Sequence, residues 1–203
     1  MNITVLGASG RVGSEIVKEL ARRGHQVTGV ARQPARVPVA PGVTAVAGDV
    51  NQPASLAPAL AGADAVVSAI MFVDSDPALL IQAIKDAGVP RYLVVGGAGS
   101  LEIAPGQRLV DTPAFPEAYK AEALAGGRFL DVLRAEPELN WTFLSPSALF
   151  AGSERTGVFR LGDDALLTDD QGNSRISFPD YAIAMADEIE TPKHPRARFT
   201  VGY

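Results

Sequence analysis

The chain has 203 residues, with 18 Lys and Arg against 23 Asp and Glu for a formal net charge of −5; 47% of its residues are hydrophobic and 20% charged, an ordinary globular balance. No run of Lys or Arg is long enough to track a phosphate backbone, and the longest apolar stretch, 65–73, falls well short of the roughly 20 residues that cross a bilayer, so neither nucleic acid nor membrane is expected as a partner. Cysteine is absent, which excludes disulfides, thiolate nucleophiles and Cys-based metal sites and leaves redox chemistry to a bound cofactor.

In chain order, short β-rich runs alternate with helical ones: strand 2–6, helix 11–23, strand 26–31, strand 43–47, helix 53–60, strand 65–69, helix 77–87 and strand 92–95. The strands are continuous Val, Ile and Ala runs, as expected when helices cover both sheet faces. That pattern predicts an α/β, Rossmann-like, doubly wound parallel sheet with its ligand at the carboxyl ends of the strands. Residues 99–115 read as loop, 116–136 as a helical run interrupted by Gly126-Gly127, and 140–144 as a sixth strand. Residues 145–178 read as a small cap over the sheet rim, with β-like pieces at 157–161, 165–168 and 174–177. A helix at 181–189, opened by Pro179-Asp180, and a strand at 198–201 close the chain. A single NAD(P)-binding domain over 1–203 is expected, with 1–144 as core. Because residues 2–6 already read as strand, no secretory signal precedes the fold, and a cytoplasmic location is expected.

The first strand runs straight into Gly7-Ala8-Ser9-Gly10-Arg11-Val12-Gly13, which opens a helix with apolar residues at Val12, Ile16, Val17 and Leu20. Gly7 permits the tight turn, Gly10 lets the backbone approach a pyrophosphate, and Gly13 lets the helix pack closely on the sheet. The orphan amides of that helix then face the diphosphate. Sites that prefer NAD usually carry a carboxylate near the end of the second strand, yet here Val30-Ala31-Arg32 offers a guanidinium suited to the 2′-phosphate of NADPH. Arg11 and Arg36 are possible helpers. Further along the rim, Asp49 and Val50 close the third strand, and Ala69 and Ile70 follow the fourth, where they would flank adenine and ribose. Asp49 equally suits a cap for the helix after Pro53.

The glycine spacing, the arginine after the second strand and the Gly48-Asp49-Val50 turn together resemble the atypical short-chain dehydrogenases/reductases, in particular their NAD(P)H-binding, flavin-reductase-like subgroup. Leu93-Val94-Val95-Gly96-Gly97-Ala98-Gly99-Ser100-Leu101, Glu117-Ala118-Tyr119-Lys120, Trp141-Thr142-Phe143-Leu144-Ser145-Pro146 and Phe199-Thr200-Val201-Gly202-Tyr203 extend the resemblance across the chain. It implies NADPH binding, with Gly97, Ser145 and Pro146 near the nicotinamide and few members of known substrate. One departure stands out. Catalytic members of the wider superfamily carry Tyr-x-x-x-Lys on the helix after the fifth strand, whereas Tyr119 is followed four residues later by Ala123, and Lys120 points about 100° away on the helix.

Ser100, Tyr119 and Lys120 are the remaining candidates to polarise an acceptor. A flavin or quinone accepts hydride without a dedicated side-chain acid, so an NADPH-dependent oxidoreductase acting on such an acceptor leads. A cofactor-sensing regulator of NmrA-like type, favoured by the missing Tyr–Lys spacing, is the alternative, and a sugar-nucleotide epimerase a weaker one. Flavin enters as a possible substrate. Phe150, Phe159 and Phe178 suit either an apolar acceptor wall or core filling. No metal is expected: His25 and His194 lack ligand-like neighbours, and Asp163-Asp164 and Asp169-Asp170 read as turn carboxylates.

Overall fold

The computed structural model describes Met1–Tyr203. Its elements are β1 (Asn2–Leu6), α1 (Arg11–Arg22), β2 (Gln26–Ala31), β3 (Val43–Ala47), α2 (Pro53–Leu60), β4 (Ala65–Ser68), α3 (Pro77–Asp86), β5 (Tyr92–Val95), β6 (Glu102–Ala104), β7 (Gln107–Arg108), α4 (Glu117–Ala135), β8 (Trp141–Ser145), β9 (Leu149–Phe150), β10 (Arg160–Gly162), β11 (Arg175–Ile176), α5 (Phe178–Glu190) and β12 (Ala197–Gly202). An 8-stranded sheet runs β3-β2-β1-β4-β5-β8-β12-β10; every neighbouring pair is parallel except β12 with β10. The chain winds outward from β1 through β3 and then restarts at β4 on the other side of β1. That reversal opens a crevice at the carboxyl ends of β1 and β4.

Successive strand residues point to opposite faces, and the core divides accordingly. Val5, Val67 and Leu93 pack against Ile16, Val17 and Leu20 of α1 and Tyr181, Met185 and Ile189 of α5. Leu6, Val66 and Val94 pack against Leu56, Leu80, Ile84, Phe129 and Leu133 on the face of α2, α3 and α4. Each such large side chain, fully buried, stabilises the fold by about 1.5–3 kcal/mol relative to exposure. No helix is long and apolar enough to cross a membrane.

Three readings of the sequence are corrected. The segment 99–115 is not simply loop: β6 and β7 form an antiparallel hairpin around Pro105-Gly106, with Gly106 at φ +74°, and Glu102 also bridges to Ala165. Helix α4 runs unbroken through Gly126-Gly127, because Gly126 lies under the Phe72 ring, where a Cβ would come within 2.9 Å of ring carbons. The residues 145–178, read as a small cap, line none of the crevice at β1 to β4. β10 extends the sheet edge, β9 and β11 form a small parallel pair, Arg155 reaches Glu19 on α1 at 3.0 Å, and the Thr156 and Gly157 amides donate to Asp180 on α5 at 2.9 Å each. Phe150 stacks edge-on against Phe178, and Phe150 and Phe159, partly buried, pack on the α1/α5 core, in keeping with the core-filling reading.

The start of α5 is fixed by polar groups. Ser177 caps it by accepting from the Asp180 amide, and the buried Asp180 carboxylate accepts from Thr156, Gly157 and the Tyr203 hydroxyl. Burial alone would raise the Asp180 carboxyl, but the bonds from Thr156, Tyr203 and the Gly157 amide outweigh it and hold the group below the ordinary carboxylate value. On the same side of the sheet, burial likewise works against the Glu19 carboxylate, and hydrogen bonds from Arg22, Arg23 and Arg155 bring it down to about 2.

Candidate dinucleotide site

The turn after β1 is shaped by two glycines. Gly7 sits at φ +80° with its amide and that of Ala8 donating to the Val30 carbonyl at 3.0 and 3.1 Å, and a Cβ there would lie 2.4 Å from the Ala69 carbonyl oxygen. A Cβ on Gly13 would lie 2.2 Å from the Gly7 carbonyl oxygen, so only glycine lets α1 press against the turn. Gly10 occupies the N-cap with no side-chain cap, and no acidic residue stands in the first turn. The amides of Arg11, Val12 and Gly13 have no acceptor within the protein. Free amides at the positive end of a helix make a seat for an anion.

That seat opens into a cavity of about 560 Å³ across the carboxyl ends of β1 to β4. Of the residues singled out in the sequence, Gly7, Ser9, Gly10, Arg32, Asp49, Val50, Ala69 and Ile70 line it together. Arg32 follows β2 directly, is exposed, and stands outside every ion pair that the other arginines make. Arg11 and Arg36 are exposed and do not line the cavity. One Asp49 carboxylate oxygen accepts from the Asn51 amide at 3.0 Å; it closes the turn ahead of α2, whose N-cap is Gln52, so of the two readings of Asp49 the helix cap is not formed. Free amides, a crowded glycine cradle and an unpaired guanidinium fit a dinucleotide carrying a 2′-phosphate.

The sequence reading missed part of the cavity wall, formed by Met71 and the segment from Val73 to Asp76. Asn51 helps to fix it, its side-chain amide donating to the Asp74 carbonyl at 2.7 Å, and Asp76 caps α3 by accepting from the Ala78 and Leu79 amides. Only the Asp76-Pro77 pair gave a local signal there, that of a helix start.

The remaining candidates do not line the cavity, although Val12 and Gly13 back it through the free amides of the anion seat. Val12, Gly13, Gly97, Ser145 and Pro146 are not among the lining residues; Ser145 and Pro146 are buried at the end of β8, and the Ser145 hydroxyl has no hydrogen-bond partner. The Ser100 hydroxyl accepts from Arg198 Nη1 at 3.2 Å, and that guanidinium is itself paired with Asp164. Tyr119 is 67% exposed, and Lys120 lies 3.7 Å from Glu117. None of these three lines the cavity.

A parallel sheet with its strand order reversed beside a glycine turn defines a Rossmann-type dinucleotide-binding protein. The chain belongs to the NAD(P)H-binding family, whose sequence model matches residues 7–192, in keeping with its resemblance to atypical short-chain dehydrogenases/reductases. It is 42% identical over 212 residues to the uncharacterized protein YwnB of Bacillus subtilis (strain 168), covering 99% of this chain and 98% of that protein. Among solved structures, it is similar to one described as a putative epimerase from Bacteroides thetaiotaomicron (42% identity, TM-score 0.94, covering 100% of this chain and 96% of the other). A structure described as a putative NADH-flavin reductase from Streptococcus pneumoniae TIGR4 is 36% identical with a TM-score of 0.86, covering 100% of this chain and 99% of the other.

Proposed function

We propose that this protein is an NADPH-dependent oxidoreductase that passes hydride to a flavin, a quinone or a similar small acceptor. The observation that carries the reading is the unpaired Arg32 guanidinium facing the same cavity as the glycine turn. Gly7, Gly10 and the free amides of Arg11, Val12 and Gly13 bind the diphosphate, and Arg32 selects the 2′-phosphate over a 2′-hydroxyl. Asp49 and Val50 flank the adenosine. The resemblance to the short-chain dehydrogenases/reductases supports Gly97, Ser145 and Pro146 beside the nicotinamide end, by β5 and β8. When bound there, the reduced nicotinamide supplies the hydride. The protein's own part is to orient and to exclude water. An acceptor that needs no side-chain acid suits a helix whose Tyr119 faces solvent and whose Lys120 is paired.

Steady-state loss of NADPH absorbance with a panel of flavins and quinones tests the reading. Turnover with at least one acceptor is expected, and inactivity across the panel in protein that binds NADPH at micromolar concentration overturns it.

A second reading, a sensor of NADP(H) redox state without turnover, is favoured by the engagement of Ser100 with Arg198 and by the exposure of Tyr119. It predicts different protein partners in pull-downs with oxidised and reduced cofactor; identical partner profiles in both states count against it.

A further inference from the structure

The wall of the cavity that follows β4 is held by a residue that does not itself line the cavity. Glu122, on the inner side of α4, accepts the Phe72 amide at 2.7 Å and the Val73 amide at 2.9 Å, one carboxylate oxygen to each. The short 3-10 helix Phe72–Asp74 thereby gains an acidic N-terminal clamp across 50 residues of sequence. Phe72 anchors the back of the same turn, stacked on Phe143 at 6.0 Å and tilted against Phe129 at 5.2 Å. Its ring lies against Gly126, one helical turn after Glu122. What remains on the cavity side is Met71 and Val73, each 53% exposed. Bonds from amides to a carboxylate are roughly twice as strong as neutral ones, and a pair of them fixes orientation as well as distance.

We infer that Glu122 is a positioning residue of the nucleotide site: through the Phe72 and Val73 amides it sets how close the Met71–Val73 wall stands to the adenosine half of the ligand. This rests on the nucleotide reading of the cavity. It also gives the α4 face a task that replaces the relay of the superfamily. Where a Tyr-x-x-x-Lys helix would present its lysine, at Ala123, this helix presents a carboxylate one residue earlier that holds the binding wall.

The test is calorimetric titration of NADPH and of 2′,5′-ADP into wild type, Glu122→Ala, Glu122→Gln and, as a control on the same helix, Asp131→Ala. All are measured at a temperature where circular dichroism shows each protein fully folded, so that a loss of global stability leaves Kd unmoved. Glu122→Ala is expected to weaken both ligands by a similar factor of roughly tenfold, because the wall acts on the part they share. Glu122→Gln keeps one acceptor oxygen and turns an amide donor toward the second N–H, so it is expected to weaken them by an intermediate factor of about threefold. Asp131→Ala should change neither. If Glu122→Ala does not fold, Glu122→Gln alone decides. Wild-type binding with unchanged Kd in the folded Glu122 variants overturns the role of Glu122 and leaves the nucleotide reading standing. Wild type that takes up neither ligand overturns the nucleotide reading, and this role with it.

Discussion

The rim built by β1 to β4 leaves a group of donors free, whereas most polar side chains of the carboxyl-terminal part are paired within the fold, the buried Trp141 indole and Ser145 hydroxyl excepted. At the rim, the amides of Arg11, Val12 and Gly13 have no acceptor and Arg32 has no carboxylate partner. In the later part, Asp180 takes bonds from Thr156, Gly157 and Tyr203, Arg198 is held between Asp164 and Ser100, and Glu188 binds the His194 ring at 2.8 Å and the Lys193 amide at 3.0 Å. A buried polar group normally finds a partner within the fold. Donors left free together at one place mark where a ligand completes the structure, whereas donors already engaged mark where the chain completes itself. The contrast also explains why Ser100, plausible by its place after β5, belongs to the second group.

The largest effect that would sharpen this contrast is expected from Gly13→Ala. Its new methyl would meet the Gly7 carbonyl, which is backbone and cannot yield. The helix must move off the turn, so NADPH affinity should fall by more than about 100-fold, with a stability loss of about 1–3 kcal/mol. Calorimetry and thermal unfolding read the two; an unchanged Kd would mean that the free amides are not the seat.

Arg32→Ala comes next. It should cost NADPH about 1.5–3 kcal/mol of binding and leave NADH nearly untouched. Equal losses for both cofactors would break the assignment of Arg32 to the 2′-phosphate.

The smallest effect belongs to the engaged region. Glu19 titrates at about 2 in the folded protein against an ordinary value of 4.5, so its contribution to stability is complete above 4.5 and lost as pH falls toward 2. Glu19→Gln should therefore lower stability at pH 7 by on the order of 1 kcal/mol, since two of its arginine partners are half exposed. The gap from wild type should close between pH 4.5 and 2 without any change in NADPH affinity at pH 7. A gap that persists at pH 2 would remove the ion pairs as its cause.

The parallel sheet through Val95 was legible within a residue or so because each strand is a Val, Ile or Ala run cut off by Gly, Pro or Asp, and buried strands need no other code. The hairpin of β6 and β7 was hidden by its brevity, although Pro105-Gly106 is a turn signal in its own right. The length of α4 was obscured by two glycines, of which Gly126 makes room for a ring 54 positions earlier in the chain, Phe72, while Gly127 has open space around it. The same limit applies to the site. Gly7, Gly10 and Arg32 announce themselves by spacing, since their chemistry is local to one βαβ unit. Glu122 and the Met71–Val73 wall do not, because a carboxylate accepting backbone amides across 50 residues leaves no pattern in either segment.

The contact between Gly13 and the Gly7 carbonyl welds turn and helix into one part before any nucleotide arrives. The ordering entropy of the anion seat is thus settled during folding and falls on no individual binding event. Pyridine nucleotides that share a diphosphate meet the same rigid socket, and discrimination among them is left to whatever touches the two ends of the molecule.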